Sequence, residues 1–419
     1  MPPKFGHEVN QIHKPARLFL INLTFEAAFK NPKASIILKA KTLASFLVLF
    51  LLVLTGCKQQ KGDDPASAKT SREQNMKYAK GFSLVDYEDY ALLSVTQAWP
   101  GSDKSFRYAL LKHKQKLPDS VQADAVIQIP VQSIVVTSTT HIPALELLGV
   151  EASLKGFPNL DYISSPKTRA RIDAGAIEEL GQNESINTES AINLNPDVVI
   201  TFGVEGENKT INSLQRAGIP VLYNGDWTET TPLGQAEWIK FFAALYDQSA
   251  KADSIFNSIE KRYLDLKQKA ATAPEEPSVI SGAMFKDVWY LPKGDSWAAT
   301  LVADAHADYL YKDTEGTGSA ALSIEEVLNT AQDADFWIAP NAFESFGELA
   351  SSNEAYTRFK AFNEQNIYSF AAAKGETGGM LYYELASSRP DWVLEDLVAI
   401  FHPQLLPDHQ SHFYTRLED

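Results

Sequence analysis

One stretch of the sequence decides the fold: Asp247 to Pro274, which reads DQSAKADSIFNSIEKRYLDLKQKAATAP. Apolar residues recur there every three or four positions, the spacing of a single buried helix face: Ala252, Ile255, Phe256, Ile259, Tyr263, Leu266 and Ala270. Asp247 is the expected N-cap, and Pro274 stops the helix. We therefore predict a helix of about 25 residues, which would span roughly 37 Å, about the width of a small domain.

Short apolar strands alternate with helical segments on both sides of this stretch. They lie at 134–136, 197–200 and 221–223 before it, and at 278–280, 288–290, 336–338 and 367–368 after it. Apolar strands separated by helices are typical of a parallel sheet covered on both faces. We therefore predict an α/β fold in which two Rossmann-like lobes, 81–246 and 275–407, are joined by the helix 247–274. A polar tail, 408–419, follows.

The first lobe opens with a different pattern. Apolar segments at 82–85, 91–96 and 106–111 are separated by turn residues, among them Trp99-Pro100-Gly101-Ser102. This pattern predicts a small β meander packed on the α/β part of the lobe. Further along, 155–166 reads as a loop, and a helix from Pro232 to Leu245, capped by Thr231, closes the lobe.

Composition limits the classes of function. The chain has 419 residues, 44% of them hydrophobic, which is enough for one large or two medium cores. Its formal net charge of −15 and the lack of a basic face make nucleic acid an unsuitable partner.

The amino-terminal segment has the features of a targeting signal. Lys39 and Lys41 precede an apolar run, Leu43 to Leu54, which suits a signal-peptide core because it is short for a membrane span. The run ends in Leu54-Thr55-Gly56-Cys57, which resembles the bacterial lipoprotein box, and Cys57 is the single cysteine. We predict that 1–57 is a signal peptide whose box is lipidated at Cys57, followed by a flexible tether, 58–80. The alternative is an uncleaved membrane anchor with an incidental cysteine.

Several segments resemble one family in the right order. They are VVTSTTHIPALELLG at 135–149, SAINLNPDVVI at 190–200, AGIPV at 217–221, and RPDWVLEDL at 389–397 followed by His402-Pro403. Together they resemble substrate-binding proteins of ABC importers for ferric siderophores and vitamin B12, over roughly 121–407. The β meander resembles a lipoprotein variant of that family. The resemblance implies the class III periplasmic-binding fold, with a ligand held between two lobes that one rigid helix connects.

Candidate ligand contacts follow from the expected position of the cleft, beyond the carboxyl ends of the strands, and from the family resemblance. We predict that the contacts are Thr139, His141, Tyr162, Asn183, Trp289, Tyr290, Trp297 and Arg389. Further candidates are 203–205, Trp227, Phe285, Asn341, Lys286 and Lys293. Aromatic faces suit corrin or catecholate rings, and the basic residues would neutralise an anionic chelate. The alternatives are core packing for each tryptophan, an ordinary loop role for His141, and pairing of Arg389 with Asp391 or Asp396.

Two glutamates stand at matching places in the two lobes. Glu189 and Glu325 each lie in the first turn of a helix that leads into a strand, next to Thr188 and Ser323. The resemblance implies that both dock on permease arginines, as exposed ion pairs that orient a transient encounter. The alternative is helix capping by the hydroxyl residue, with the glutamate compensating the helix dipole.

Two other classes of function are weighed against binding. An enzyme is not predicted, because no nucleophile elbow, phosphate loop or His-Glu-x-x-His helix occurs. A direct metal-ion receptor would need converging histidines, whereas His141, His306 and His402 are scattered and His409-x-x-His412 reads as a solvated tail. No resident cofactor or metal is predicted.

The sequence thus predicts a monomeric, lipid-anchored substrate-binding component of an ABC importer on the periplasmic side of the membrane. It would capture a ferric siderophore or related iron complex, with cobalamin or haem as the alternative ligand, and deliver it to the permease subunits.

Overall fold

The computed structural model describes residues 71–113, 115–183, 185–203 and 209–419. The predicted signal peptide, the lipidation site at Cys57 and most of the tether lie outside the described residues. Within the described part, no helix is long and apolar enough to cross a membrane.

The chain begins with a sheet whose strands lie in chain order. They are β1 (Arg72–Gln74), β2 (Phe82–Asp86), β3 (Tyr90–Val95), β4 (Phe106–Leu111) and β5 (Ala125–Gln128). Neighbours are antiparallel except β4 and β5, which are parallel. The predicted β meander corresponds to β2–β4, and its side chains Phe82, Leu84 and Leu93 share the core of the first lobe.

Two buried carboxylates fasten the segment before β2 to the first lobe. Glu237 is fully buried and accepts the backbone N–H groups of Lys77, Tyr78 and Ala79 at 2.9, 2.7 and 2.9 Å. Glu229 accepts those of Lys80 and Gly81 at 2.9 and 2.8 Å. The predicted flexible tether, 58–80, is therefore wrong for residues 72–80, because a strand and these hydrogen bonds fix them.

A parallel sheet forms the centre of the first lobe, in the order β12-β11-β6-β7-β8. Its strands are β6 (Ile134–Val136), β7 (Leu154–Phe157), β8 (Glu178–Glu179), β11 (Val198–Thr201) and β12 (Val221–Tyr223), with a hairpin of β9 (Gly181–Gln182) and β10 (Ser185–Ile186). The predicted loop at 155–166 is wrong at its start, because β7 occupies 154–157 as an inner strand.

Helices cover this sheet. They are α1 (Ile142–Leu147), α2 (Pro166–Asp173), α3 (Thr188–Leu194), α4 (Lys209–Arg216), α5 (Pro232–Glu237) and α6 (Ile239–Leu245). Thr231 caps α5 as predicted, since its hydroxyl accepts the N–H of Gly234 at 3.1 Å. The predicted single helix 232–245 is broken at Trp238, whose ring packs at 4.5 Å from Phe82 of the amino-terminal sheet.

The long helix α7 (Ser249–Ala270) connects the two lobes. Asp247 does not cap it, because its φ of 55° is left-handed and ends α6, where Gln248 N–H donates to the Ala243 carbonyl at 3.0 Å. Along α7, Phe256 and Ile259 lie in the core of the first lobe, whereas Tyr263 and Leu266 lie in a separate core. One helix therefore serves two cores, one in each of the two predicted lobes.

The second lobe repeats the arrangement with a sheet in the order β16-β13-β18-β19-β20, parallel except at β20. Its strands are β13 (Ser278–Ser281), β16 (Asp308–Tyr309), β18 (Phe336–Ile338), β19 (Ile367–Ser369) and β20 (Thr415–Arg416). A small antiparallel sheet consists of β14 (Ala283–Phe285), β15 (Val288–Pro292) and β17 (Ser319–Leu322). The predicted tail, 408–419, is thus part of this lobe.

The helices of the second lobe are α8 (Trp297–Asp304), α9 (Ile324–Ala331), α10 (Phe346–Ser352), α11 (Lys360–Asn363), α12 (Leu381–Leu385) and α13 (Pro390–Phe401). Helix α13 packs along α7, so the last long helix braces the connection between the lobes. The predicted α/β fold of two lobes joined by one helix is confirmed.

Truncating the connecting helix in its first core should destabilise the protein. Phe256→Ala removes a fully buried ring, so the free energy of unfolding should fall by about 3–5 kcal/mol in urea denaturation. Leu264→Ala on the exposed side of the same helix is the control, with an expected change within about 0.5 kcal/mol. Equal effects of the two substitutions would contradict the assignment of the buried face.

Candidate functional site

A cavity of about 670 Å³ lies between the two lobes, which is within the usual range of roughly 300–1,000 Å³ for small-molecule sites. Its walls come from the amino-terminal sheet, the first lobe and the second lobe. The lining residues are Gln97, Trp99, Pro100, Gly101, Ser102, Trp227, Thr228, Glu229, Thr230, Pro292, Ser296, Trp297, Ala298, Thr317, Gly318 and Ser319. All three parts of the protein thus contribute to one site.

Three tryptophans from three elements define the cavity. Trp227 lies in the turn after β12 and is 39% exposed. Trp297 is the first residue of α8, whose N-cap Ser296 accepts the N–H of Ala299 at 3.2 Å. Trp99 follows β3 and is held at a ring distance of 5.5 Å from Tyr223. Such faces offer a large apolar area with little side-chain entropy to lose, which suits a bulky ligand with flat parts.

Gly203 makes room for one of these rings. A Cβ atom added at Gly203 would lie 2.3 Å from Trp99, far closer than real Cβ contacts. Gly203 was among the predicted cleft residues, and its role here is to let Trp99 approach the end of β11. The neighbouring candidates 204–205 lie outside the described residues.

The described walls of the cavity are nearly free of charge. Glu229 is the charged residue among them, and its carboxylate already accepts the N–H groups of Gly81 and of the Trp238 indole, the latter at 3.0 Å. The remaining polar groups are hydroxyls and an amide, on Gln97, Ser102, Thr228, Thr230, Ser296, Thr317 and Ser319. These walls can hydrogen-bond a ligand but offer no cation for an anionic one.

A buried acid lies behind Trp227. The pKa of Asp226 is raised to about 6, chiefly by burial and also by the nearby charge of Glu229, while hydrogen bonds from the Trp227 backbone and the Thr140 hydroxyl oppose the shift. A buried carboxyl group with a raised pKa therefore belongs to the residue that precedes one of the cavity tryptophans.

The lobes also touch directly at a second place. Glu384 of α12 accepts the backbone N–H groups of Ser164 and Ser165 at 2.6 and 3.0 Å, and the Ser164 hydroxyl donates to the Gly379 carbonyl at 2.9 Å. Glu384 is almost fully buried, and this burial raises its pKa to about 7 although both backbone hydrogen bonds favour the carboxylate. This contact between the lobes therefore contains a buried titratable group.

The structure brings only part of the predicted contact set to the cavity. Trp297 and Trp227 line it. Thr139 begins a 3₁₀ turn after β6, Asn183 lies in the β9–β10 turn, and Tyr290 is exposed on β15, but none of them is among the lining residues. Tyr162 is 59% exposed at the interlobe contact, and its carbonyl lies 2.6 Å from where a Cβ of Gly379 would stand. Their ligand contacts stay predictions.

Two predicted contacts are placed in the protein interior. His141 is fully buried, its two ring nitrogens have no hydrogen-bond partner among the described residues, and the ring packs 5.4 Å from Phe242. Desolvation lowers the pKa of His141 to about 3. Trp289 is fully buried, stacks on Trp337 at 5.2 Å and donates to the Ser281 carbonyl. Both side chains are core residues here, because their strands and helices turn them away from solvent.

The basic candidates also lie elsewhere. Arg389 forms a two-pronged pair with buried Asp391, at 2.9 and 2.6 Å, and its guanidinium lies 3.6 Å above the Trp392 ring. Its charge is thereby compensated within the second lobe, as the alternative interpretation held. Lys286 lies in the β14–β15 turn beside Phe285, and Lys293 lies near Gly316; neither lines the cavity.

Sequence reasoning missed two walls of the cavity. The sequence pattern predicts only a turn of the meander at Trp99-Pro100-Gly101-Ser102, and it assigns 317–319 no role in a site. A tryptophan within a turn was the available signal for the first wall, since a large ring in a turn needs a neighbouring surface to cover it.

Both predicted docking glutamates, Glu189 and Glu325, are exposed, and other residues form the N-caps of their helices. Asn187 caps α3 by accepting the N–H of Ser190 at 3.1 Å, so the predicted cap Thr188 is wrong. In α9, Ser323 forms a capping box with Glu326. Glu189 and Glu325 therefore keep their carboxylates directed to solvent, with no ion pair among the described residues.

Comparison with known proteins assigns the chain to a family of binding proteins. The family described as periplasmic binding protein matches residues 134–373, more than half of the chain. An uncharacterized lipoprotein of Methanocaldococcus jannaschii is 25% identical over 407 residues, which covers 88% of this chain and 94% of the relative.

Solved structures show the same fold. A periplasmic heme binding protein from Pseudomonas aeruginosa is similar with a TM-score of 0.52 and 17% identity, covering 69% of this chain and 99% of that one. An ABC-type Fe3+-hydroxamate transport system protein from Saccharomonospora viridis has a TM-score of 0.50 and 18% identity. The match covers 65% of this chain and 94% of that one.

Glu384 should make stability depend on pH. An unfolded glutamate titrates near its ordinary pKa of about 4.3, and the folded one near 7, so the unfolded chain releases this proton first as pH rises. The contribution of Glu384 to stability therefore falls between these two values. Between pH 5 and 8, the Tm of Glu384→Gln relative to that of the wild type should rise by roughly 2 °C or more.

Glu376→Gln is the matched control for this measurement, because Glu376 is exposed in the segment between β19 and α12. Its Tm should follow the wild-type curve across the same pH range. A Glu384→Gln curve parallel to the wild type would show that Glu384 does not titrate in this window.

Proposed function

We propose that this chain, which belongs to the periplasmic binding protein family, is the lipid-anchored substrate-binding component of an ABC importer for a ferric siderophore or related iron complex. The family and fold predicted from the sequence are confirmed. Acylation at Cys57, a monomeric state on the periplasmic side and delivery to permease subunits are parts of the proposal. Membership in a family of binding proteins favours binding over catalysis.

The observation that carries the proposal is the cavity walled by Trp99, Trp227 and Trp297 between two lobes on one helix. Its size and aromatic surface suit a bulky ligand rather than a bare ion. Because the connecting helix is continuous and the lobes already touch at Glu384, ligand capture requires only small movements.

The electrostatics of the cavity narrow the class of ligand. A catecholate iron chelate is strongly anionic and would need arginines or lysines, whereas the described walls present hydroxyls and Glu229. A weakly charged chelate, such as a ferric hydroxamate, fits these walls better. Cobalamin, which is large, partly flat and weakly charged, is the second candidate on the same ground.

The alternative function of a direct metal-ion receptor has less support. Among the described residues, the group of histidine and carboxylate side chains that could share a metal is Glu395, His409 and His412, and none of them lines the cavity.

Ligand binding can be tested by titrating intrinsic tryptophan fluorescence with a ferric hydroxamate, a ferric catecholate, cobalamin and haem. We expect quenching with a Kd of about 1 μM or tighter for the hydroxamate, and at least tenfold weaker binding of the catecholate. Trp227→Ala and Trp297→Ala should each weaken binding by about tenfold or more, because each removes a face of the cavity.

Trp392→Ala is the matched control, since Trp392 is partly buried in the second lobe but does not line the cavity. It should bind the ligand within about twofold of the wild type. Undiminished binding by both cavity variants would refute the assignment of the site, and saturation by none of the four ligands would refute the ligand class.

Docking on the permease can be tested separately from binding. The double variant Glu189→Arg/Glu325→Arg should keep its ligand affinity, because both side chains are exposed outside the cavity, and should lose uptake of the ligand by cells. Loss is expected because reversed charges repel the permease cations.

Glu178→Arg/Glu354→Arg reverses two other exposed glutamates, one in each lobe, and should leave uptake unchanged. Normal uptake by the Glu189→Arg/Glu325→Arg protein would rule out these residues as the docking pair.

A further inference from the structure

The carboxy-terminal tail is held in place by one buried carboxylate. Asp396 of α13 is almost fully buried and accepts the backbone N–H groups of His412, Phe413 and Tyr414 at 2.9, 2.7 and 2.9 Å. The chain then continues into β20, which pairs with β19. The turn that carries His412 is therefore fixed relative to α13, and the sequence interpretation of a solvated His409-x-x-His412 tail is wrong.

This turn brings three metal-ligating side chains together. Glu395, His409 and His412 are partly buried, and one ligand atom from each lies within 4.8 Å of the others. The Nε2 atom of His412 lies 2.8 Å from the Glu395 carboxylate, and the two imidazole rings are 5.6 Å apart. We propose that these three residues form a binding site for a divalent transition-metal ion of the Zn²⁺ type, outside the cavity.

The donor set fits such an ion. Two imidazoles and one carboxylate are common zinc ligands, and three protein ligands leave one position for water. A harder ion such as Mg²⁺ or Ca²⁺ would instead require mostly oxygen donors. The chemistry therefore selects a borderline transition metal.

Neighbouring side chains fix the orientation of the two histidine rings. Asp396 lies 2.7 Å from Nε2 of His409, the kind of carboxylate partner that orients a metal-binding imidazole. The His412 ring stacks on Trp392 at 4.8 Å with an interplanar angle of 8°. Binding would thus require little rearrangement of the two rings.

A metal here would join three segments: helix α13, the carboxy-terminal tail and the connecting helix α7. Glu395 and Asp396 belong to α13, the histidines belong to the tail, and Glu395 also pairs with Arg262 of the connecting helix α7. A bound metal would therefore tie the tail to α13 and, through Glu395, to α7, independently of the cavity.

Isothermal titration of the tag-free, EDTA-dialysed protein with ZnCl₂ tests the site. We expect one Zn²⁺ per chain with a Kd of about 10 μM or tighter, and a Tm that rises with the Zn²⁺ concentration. His409→Gln, His412→Gln and Glu395→Gln should each weaken binding by at least about tenfold, since each removes one of three ligands.

His113→Asn is the matched control, because it removes an exposed histidine far along the chain from the tail, at a left-handed backbone position that asparagine tolerates. It should bind Zn²⁺ like the wild type. Circular dichroism of each metal-free variant shows whether the fold is kept, and visible spectra with Co²⁺ report the ligand set independently.

Wild-type protein that binds no Zn²⁺, or tail variants that bind it as the wild type does, would overturn the proposal. The result is separable from ligand capture, because Trp227→Ala and Trp297→Ala should bind Zn²⁺ normally and His412→Gln should bind the iron complex normally. If instead the cavity variants lost Zn²⁺ binding, the metal would lie in the cavity and the tail site would be refuted.

Discussion

The sharing of helix α7 between two separate cores is the constraint on which the rest of the structure depends. Ile259 packs in the first core and Tyr263 in the second, so the boundary falls within about one turn. A continuous helix resists sharp bending, because its backbone hydrogen bonds would break. The two sheets are therefore held as separate bodies with a gap between them, and the gap supplies the cavity.

The amino-terminal sheet completes that gap through buried charge. Glu229 and Glu237 are buried, and a buried carboxylate is costly unless several donors satisfy it. The backbone of residues 77–81 supplies those donors, which fixes the sheet on the first lobe and brings Trp99 to the cavity. The extension before the α/β lobes is thus part of the binding site as well as part of the core.

The tryptophans show why residue type alone did not identify the site. Trp289 and Trp337 stack in the second core, whereas Trp227 and Trp297 face the cavity. The difference is the element that carries them: Trp289 and Trp337 lie within strands, and Trp227 and Trp297 lie in a turn and at a helix start. Strand ends and helix starts border the cleft, while strand centres are covered.

The sequence by itself determined the local elements. Apolar spacing identified α7 and the strands β6, β11, β12, β13, β18 and β19, but not β7, β8, β16 or β20. Short motifs in a fixed order identified the family, because these signals depend on neighbours along the chain. Only the tertiary structure decided which side chains meet. The pairing of Arg389 with Asp391, the burial of His141, the arrival of Trp99 at the cavity and the fixing of the histidine tail on Asp396 each depend on packing and hydrogen bonds that the local pattern does not encode. The last three of these join segments that are distant in sequence. Arg389 and Asp391 are close on the chain, but they meet because the second core orients the start of helix α13.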